Sequence, residues 1–309
     1  MNKKLFLFSS PHSPVSITRS LVLLHFIVFI WGFTGILGKE ISFPSSQLVW
    51  WRVLIAAVSL LVFALVVKKS LRIEGKEFLQ FAGVGLLTAA HWICFFMAIK
   101  VSNVSVALAV ISTISFFMAF VSPIIRREKF LWHELLLGVI VVFGLGLIFK
   151  FEPKYTYGIV LALIAALLAA IFSSFNSQLV KKHEPAKIAF WEMATALLSV
   201  SIFLFFTGEL NHELLTPSLR DLLMLLLLGV VCTAFAFVAA IEVMKVLSPF
   251  TCALAVNLEP VYTIALALLI YGESEYMSTQ FYLGTLIILC TLFLEVWLKR
   301  KFGTVTGKD

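Results

Sequence analysis

The chain has 309 residues, of which 61% are apolar and only 13% are charged; an ordinary soluble domain has roughly 45–50% apolar and about 25% charged residues. That composition excludes both a soluble globular protein and a disordered one. The net charge of +7 points to no nucleic-acid partner in such a chain, because in a lipid-embedded protein the distribution of basic residues matters more than their sum.

A spanning helix needs about 20 apolar residues. Apolar runs between charged or Pro/Gly-containing breaks predict ten spans, at residues 20–38, 47–67, 78–99, 103–125, 131–149, 157–180, 187–206, 219–243, 247–270 and 280–298. The connections are too short to hold a soluble domain. Lys3 and Lys4 precede a short apolar stretch that is followed by Pro11 and Pro14. The next run begins at Leu21 and ends in Gly38-Lys39-Glu40 without a small-x-small cleavage site, so it reads as a retained first span rather than a signal peptide. Cys94, Cys232, Cys252 and Cys290 all lie inside apolar segments without metal-type or redox spacing and read as small hydrophobes.

With ten spans, 18 of the 24 lysines and arginines fall on the side of the N-terminus and five on the other, with Arg52 inside a span. The positive-inside bias then places both termini in the cytoplasm and favours an even number of spans.

The two halves resemble each other. Pro44 and Trp50 match Pro185 and Trp191 at an offset of 141. Thr88-Ala89 and Lys100-Val101 match Thr233-Ala234 and Lys245-Val246 at 145, and Ala107–Val110 and Gly138 match Ala253–Val256 and Gly284 at 146. Each half holds five spans, an odd number, so the second half starts on the opposite side of the bilayer. The expected fold is an all-α polytopic membrane protein of ten transmembrane helices, arranged as two inverted five-helix repeats at 20–149 and 157–298. Cytoplasmic tails are expected at 1–19 and 299–309. Inverted repeats are a signature of secondary transporters, whose halves can open a central site to alternate sides.

Several stretches carry a further resemblance. They are Phe29-Ile30-Trp31-Gly32-Phe33, Trp50-Trp51-Arg52, Ala98-Ile99-Lys100 through Val106-Ala107-Leu108, Arg127-Glu128 followed by Gly138, Leu258-Glu259-Pro260-Val261, and Tyr271-Gly272-Glu273 followed by Gly284. In this order they resemble the EamA family of the drug/metabolite transporter superfamily over about residues 20–298. The resemblance implies a ten-span carrier that exports small metabolites, often amino acids or related compounds. It also implies a central cavity lined by spans one to four and six to nine, with spans five and ten peripheral. Ile114 stands where Pro260 stands in the second half, so the sequence gives no ground for a matching helix break in the fourth span.

Polar residues inside apolar spans are the candidate site. Glu259 lies 11 or 12 residues from either end of its segment, roughly 16 Å at ~1.5 Å per residue, beyond the reach of its side chain to water. It must be paired, hydrated or protonated. It either binds a cationic substrate group or a coupling proton, or holds helices together. Pro260 removes a backbone donor beside it, and Asn257, Tyr262 and Thr263 add polar groups nearby. Ser112, Thr113 and Ser115 occupy the matching depth of the fourth span and either line a cavity or bond back to their own helix.

Arg52 is suited to bidentate carboxylate binding, or snorkels to the nearer surface. Glu192 lines an inner vestibule or sits in the interface. His91 relays protons or packs as a satisfied core residue, and Asn176 and Gln178 line a cavity or cross-link helices. Glu242 can pair with Lys245 at i, i+3. Gly32, Gly35 and Gly38 allow close helix approach, and Trp31, Trp50, Trp51 and Trp191 form substrate walls or interface anchors.

There is no phosphate-binding loop, no dinucleotide fingerprint and no metal-type cluster, so no cofactor is called for. The partners expected are a small-molecule substrate and the lipid bilayer; monomer and homodimer both remain open. The reading is a secondary transporter in a bacterial inner membrane, driven by proton exchange or by the substrate gradient alone. The alternative is a membrane-embedded enzyme acting on a lipid or lipid-linked substrate.

Overall fold

The computed structural model describes residues 16–302. The expected N-terminal tail is described only from Ser16, and the end of the C-terminal tail lies outside the described residues. All regular structure among the described residues is helical. Eight helices are long and apolar enough to cross a membrane: α1 Ile17–Glu40, α2 Ser45–Val66, α3 Gly75–Val101, α4 Val104–Arg126, α6 Pro153–Leu179 (opening with a short 3-10 turn), α7 Pro185–Thr207, α8 Leu219–Val243 and α9 Pro249–Glu275. Two more apolar helices, α5 Trp132–Phe151 and α10 Thr279–Phe302, complete the bundle. The chain is therefore an all-α, multi-span membrane protein.

Local chemistry sets many of the helix starts. Glu74 and Glu77 form a capping box at the start of α3. The Asn103 side chain accepts from the Val106 amide at α4, and Ser218 and Ser248 cap α8 and α9 in the same way. Pro185 and Pro249 occupy first-turn positions, where no amide hydrogen is needed.

Helix α2 packs on α7, α4 on α9, and α5 on α10. Helix α3 packs on α6 and α7, and α8 packs on α1 and α2. Helix α6 also meets α4, and α1 also meets α9. At the α5–α10 crossing, a Cβ on Gly144 would lie 2.7 Å from the Gly284 carbonyl oxygen, and one on Gly284 would lie 2.6 Å from that of Gly144. Only glycine lets the two backbones come that close. The outward faces are apolar, with Phe143, Leu136, Phe205 and Phe206 exposed. On a soluble monomer such a surface would be an interaction patch; here it is what hydrocarbon would cover.

Four helices depart from regular geometry at mid-depth. Helix α1 breaks at Gly32-Phe33, α4 at Ser112-Thr113 and α9 at Asn257-Leu258. At each break an amide turns to the carbonyl three residues back, as in Phe33 to Ile30, Thr113 to Val110 and Asn257 to Leu254. The break in α4 has no proline to cause it. There Thr113 Oγ1 donates to the Val110 carbonyl at 2.8 Å, and Ser115 Oγ to that of Ser112 at 3.2 Å. Hydroxyls bonding back to the backbone bend helices in this way. Helix α8 widens into a π-helical stretch over Leu227–Phe235. It lies where Gly229 meets α2 so closely that an added Cβ would be 2.6 Å from Ile55.

Candidate functional site

A cavity of about 970 Å³, counting its mouth, lies among the helices. Its lining reaches the N-terminal face at Leu24 of α1 and at Met244 and Pro249, which flank the α8–α9 loop. Further in, Trp92, Phe95, Phe172 and Phe237 form an aromatic wall, with Trp92 and Phe237 ring centroids 5.9 Å apart. Helices α1, α2, α3, α4, α6, α8 and α9 all contribute side chains, and α5 and α10 contribute none. Helix α7 differs from the expectation: none of its side chains lines the cavity. Its inward residue Glu192 sits behind Asn176 of α6 instead.

The deep end holds the charged groups. Arg52 is 3% exposed. Its Nε donates to Thr233 Oγ1 at 2.7 Å, and its guanidinium lies 3.9 Å from the centroid of the Trp92 ring. The side chain thus points inward over an aromatic face and does not snorkel. The π-helical stretch of α8 makes this possible. Thr233 is within it and donates to the Leu228 carbonyl five residues back, leaving its oxygen free to accept from Arg52. Trp31 of α1 is anchored to the same stretch, donating to the Cys232 carbonyl at 3.1 Å.

Glu259 opens the second half of α9, directly after the break and before Pro260. A carboxylate there lies at the positive end of a half-helix. It accepts from Thr34 Oγ1 at 3.4 Å. Thr263 Oγ1 donates to the Gly32 carbonyl at 2.8 Å, so the breaks in α1 and α9 are joined side by side. Gly32 and Gly35 make that approach possible, since a Cβ on either would meet Tyr262 or Thr263 at 2.9 or 2.8 Å. Gly38 instead faces the Phe96 ring. Arg52 and Glu259 face the same cavity, and no ion pair joins them among the described residues.

The other candidates fall into three groups. His91 and Asn176 line the cavity; His91 Nδ1 donates to the Ala165 carbonyl at 2.8 Å. Ser112, Thr113 and Asn257 lie in the helix breaks, and Asn257 Nδ2 donates to Ser115 Oγ at 3.1 Å, pinning α9 to α4. Tyr262 lies outside the cavity lining, edge-on to Phe29. Of the tryptophans, Trp31 lines the cavity, while Trp50, Trp51 and Trp191 bond within the α2–α7 region. Glu242 pairs with Lys245 at 2.9 Å.

The face opposite the N-terminal start of α1 holds a polar network that sequence reasoning did not reach. Glu275, at the end of α9, is fully buried. It accepts from Lys39 at 2.9 Å, from the Ser105 amide at 2.9 Å, from the Val104 amide at 3.2 Å and from Ser105 Oγ at 2.8 Å. Lys39 also lies over the Tyr271 ring, 3.7 Å from its centroid. Around this knot, Lys100 donates to the Ile41 carbonyl, the Ser42 amide to Asp221, and Arg220 pairs with Glu40. Helices α1, α3, α4, α8 and α9 are thereby drawn together. The available signal was Glu275 itself, an acid following an apolar span in the tight turn at Gly272.

A bundle of long apolar helices enclosing a cavity, reached from one face and closed by a polar network at the other, has the architecture of a membrane transporter. The chain belongs to the EamA-like transporter family, whose pattern matches residues 18–150 and again residues 156–297. It is 27% identical over 184 residues to an uncharacterized transporter of Archaeoglobus fulgidus, covering 59% of this chain and 64% of that relative, so the chain matches just under two thirds of that relative's length. It is 24% identical to the uncharacterized transporter YdfC of Bacillus subtilis, over 78% of this chain and 79% of YdfC. A second A. fulgidus transporter is 23% identical over 90% of this chain and 97% of its own length. A solved crystal structure superposes with a TM-score of 0.70 at 16% identity, covering 93% of this chain and all of that one, which establishes the likeness of fold. The family is one of transporters, and the A. fulgidus and B. subtilis relatives are named as transporters.

Proposed function

We propose that the chain is a secondary transporter that exports a small metabolite, an amino acid or related compound, by alternating access between two inverted five-helix halves. The observation that supports this best is the cavity itself. It offers one carboxylate, Glu259, and one guanidinium, Arg52, at the blind end of an aromatic-walled chamber. Such a pair suits a small zwitterion whose apolar part lies against the rings.

The inverted arrangement draws support from the helix pairings. The main ones are preserved when helix numbers are exchanged with those five away: α3–α6 becomes α8–α1, α3–α7 becomes α8–α2, and α4–α6 becomes α9–α1. A hydrogen bond repeats in the same sense. Trp51 Nε1 donates to the Leu214 carbonyl at 2.9 Å on one face, and Trp191 Nε1 to the Leu71 carbonyl at 2.8 Å on the other. In this reading the N-terminal face is cytoplasmic, in keeping with the excess of basic residues there, and the membrane is a bacterial inner membrane. Substrate enters from the cytoplasm; the Glu275 network then releases while the mouth at Leu24, Met244 and Pro249 closes.

The test is flux into proteoliposomes of a mixture of the radiolabelled common L-amino acids, together with a screen of metabolites released by cells with and without the protein. Transport of at least one amino acid is expected. Glu259→Gln should abolish most of it while leaving folding intact. Normal transport by Glu259→Gln at both acid and alkaline pH would remove Glu259 from the site.

A further inference from the structure

Glu192 and Asn176 form a second buried polar pair, apart from Arg52 and Glu259. Glu192 of α7 is fully buried and Asn176 of α6 is 1% exposed. Asn176 Nδ2 donates to Glu192 Oε2 at 3.2 Å. The remaining oxygens, Asn176 Oδ1 and Glu192 Oε1, have no hydrogen-bond partner. Buried acceptors without partners are costly, and one of these belongs to a side chain that lines the transport cavity.

We propose that Glu192 is a proton-binding site whose state sets, through Asn176, whether the cavity wall offers a hydrogen-bond acceptor or a donor. This rests on the transporter reading above. The observed orientation suits an ionised Glu192, with the amide N–H donating to the carboxylate and Oδ1 left unpaired in the wall of the cavity. When Glu192 takes a proton on Oε2, that oxygen becomes a donor. The Asn176 amide then turns over so that Oδ1 accepts from it, and Nδ2 occupies the place Oδ1 held. The amide is nearly symmetric in shape, so the turn needs no repacking. An acceptor facing the cavity favours a cationic or N–H-bearing part of the substrate, and a donor favours a carboxylate or carbonyl. The proton comes from water in the cavity on the open face and leaves by whichever face the cavity next meets.

Among the described residues, no charged side chain is bonded to Glu192. On α3, Glu77 is engaged with Lys187 of α7 and with His183, His91 with the Ala165 carbonyl, and Lys100 with that of Ile41, while Lys76 is exposed. On α2, Arg52 is bonded to Thr233. On α8, Arg220 pairs with Glu40, Asp221 accepts from the Ser42 amide, and Glu242 pairs with Lys245. The residues that α3 sets against this part of α7 are apolar or small: Gly85, where a Cβ would lie 2.6 Å from the Glu192 carbonyl oxygen, and Phe81.

Two measurements on the full-length protein test this. The first is infrared difference spectroscopy in lipid nanodiscs across a pH titration. A carboxylic C=O band should appear on acidification, vanish in Glu192→Gln and shift in frequency in Asn176→Leu. The second is counterflow of the radiolabelled amino-acid mixture in proteoliposomes at matched internal and external pH. The wild-type rate should change severalfold between acid and alkaline buffer. Glu192→Gln, which mimics the protonated acid, should hold the wild-type acid rate at every pH, and Asn176→Leu should also lose the pH response. A titrating band unchanged in both variants overturns the proposal, as does a wild-type pH profile in Glu192→Gln. If no amino acid is transported at all, the substrate reading fails, and the infrared titration still decides the proton site.

Discussion

The two membrane faces use one element in common and differ in another. Both have the Trp51–Leu214 or Trp191–Leu71 hydrogen bond, which ties α2 or α7 to the loop opposite it. Both also have ion pairs or hydrogen bonds beside that tie: Ser46 and Gln47 with Glu209 on one side, Lys69 with Glu184 on the other. The contrast lies among α1, α4 and α9. On the sealed face Glu275 bonds Lys39 of α1 and the first amides of α4 at once. On the N-terminal face the pairs Arg126–Glu128 and Lys245–Glu242 are local, and the cavity reaches between their helices. In the proposed alternating-access cycle the α2–α7 seam is the fixed frame, and opening and closing reside in α1, α4 and α9, the spans that break at mid-depth together.

The strongest way to break that contrast is to remove the knot. Glu275→Ala leaves Lys39, whose side chain is 31% exposed, and the Val104 and Ser105 amides without their shared acceptor, and each buried donor left unpaired costs about 1–3 kcal/mol. The sealed face should open. A cysteine at Leu108, fully buried in the wild type, should become reactive to a membrane-impermeant maleimide applied from that face, in a background without the four native cysteines. Unchanged labelling, with the protein still folded, would mean that Glu275 only caps α4 and does not hold the face shut.

How much of this could be read beforehand depended on whether one residue's chemistry was enough. The spans were legible because hydrocarbon tolerates few charges, so length and composition alone mark them. The α9 break was signalled by Pro260, and Glu259 by its distance from water. The α4 break had no such mark, because it is made by Ser112, Thr113 and Ser115 turning to backbone carbonyls, which hydroxyls elsewhere do without breaking a helix. The π-helical stretch of α8 lies where Ile55 approaches Gly229, a tertiary contact that no local sequence pattern marks. Glu275 looked like a loop acid, since nothing local says that the start of α4, some 170 residues away in sequence, will fold against it. Glu192 was visible as an intramembrane acid, but its link to Asn176 exists only after α6 and α7 pack.

A milder test addresses the seam that the moving helices share. A side chain at Gly35 would press on Thr263, Leu108 and Val104, so on α9 and α4 together. Overpacking of this kind costs about 1–3 kcal/mol, and the joined breaks would be forced apart. Gly35→Val should lower the midpoint of thermal unfolding in detergent and reduce transport more than Gly146→Val, whose site has open space beside it. Equal losses in the two variants would show that the close approach at Gly35 is not special to the moving set.

The smallest expected effect tests the fixed frame itself. Trp51→Phe and Trp191→Phe each delete one indole N–H bond to a backbone carbonyl while keeping an aromatic ring, and a net hydrogen bond contributes about 0.5–1.5 kcal/mol. If the α2–α7 seam is the same in both access states, the loss falls on each state alike. Both variants should then be slightly less stable, by similar amounts, and labelling of the Leu108 cysteine should stay as sided as in the parent. A change in sidedness in Trp51→Phe alone would move its bond out of the frame and into the network that seals that face, because a ligand-free equilibrium shifts only when the two states lose different amounts of free energy.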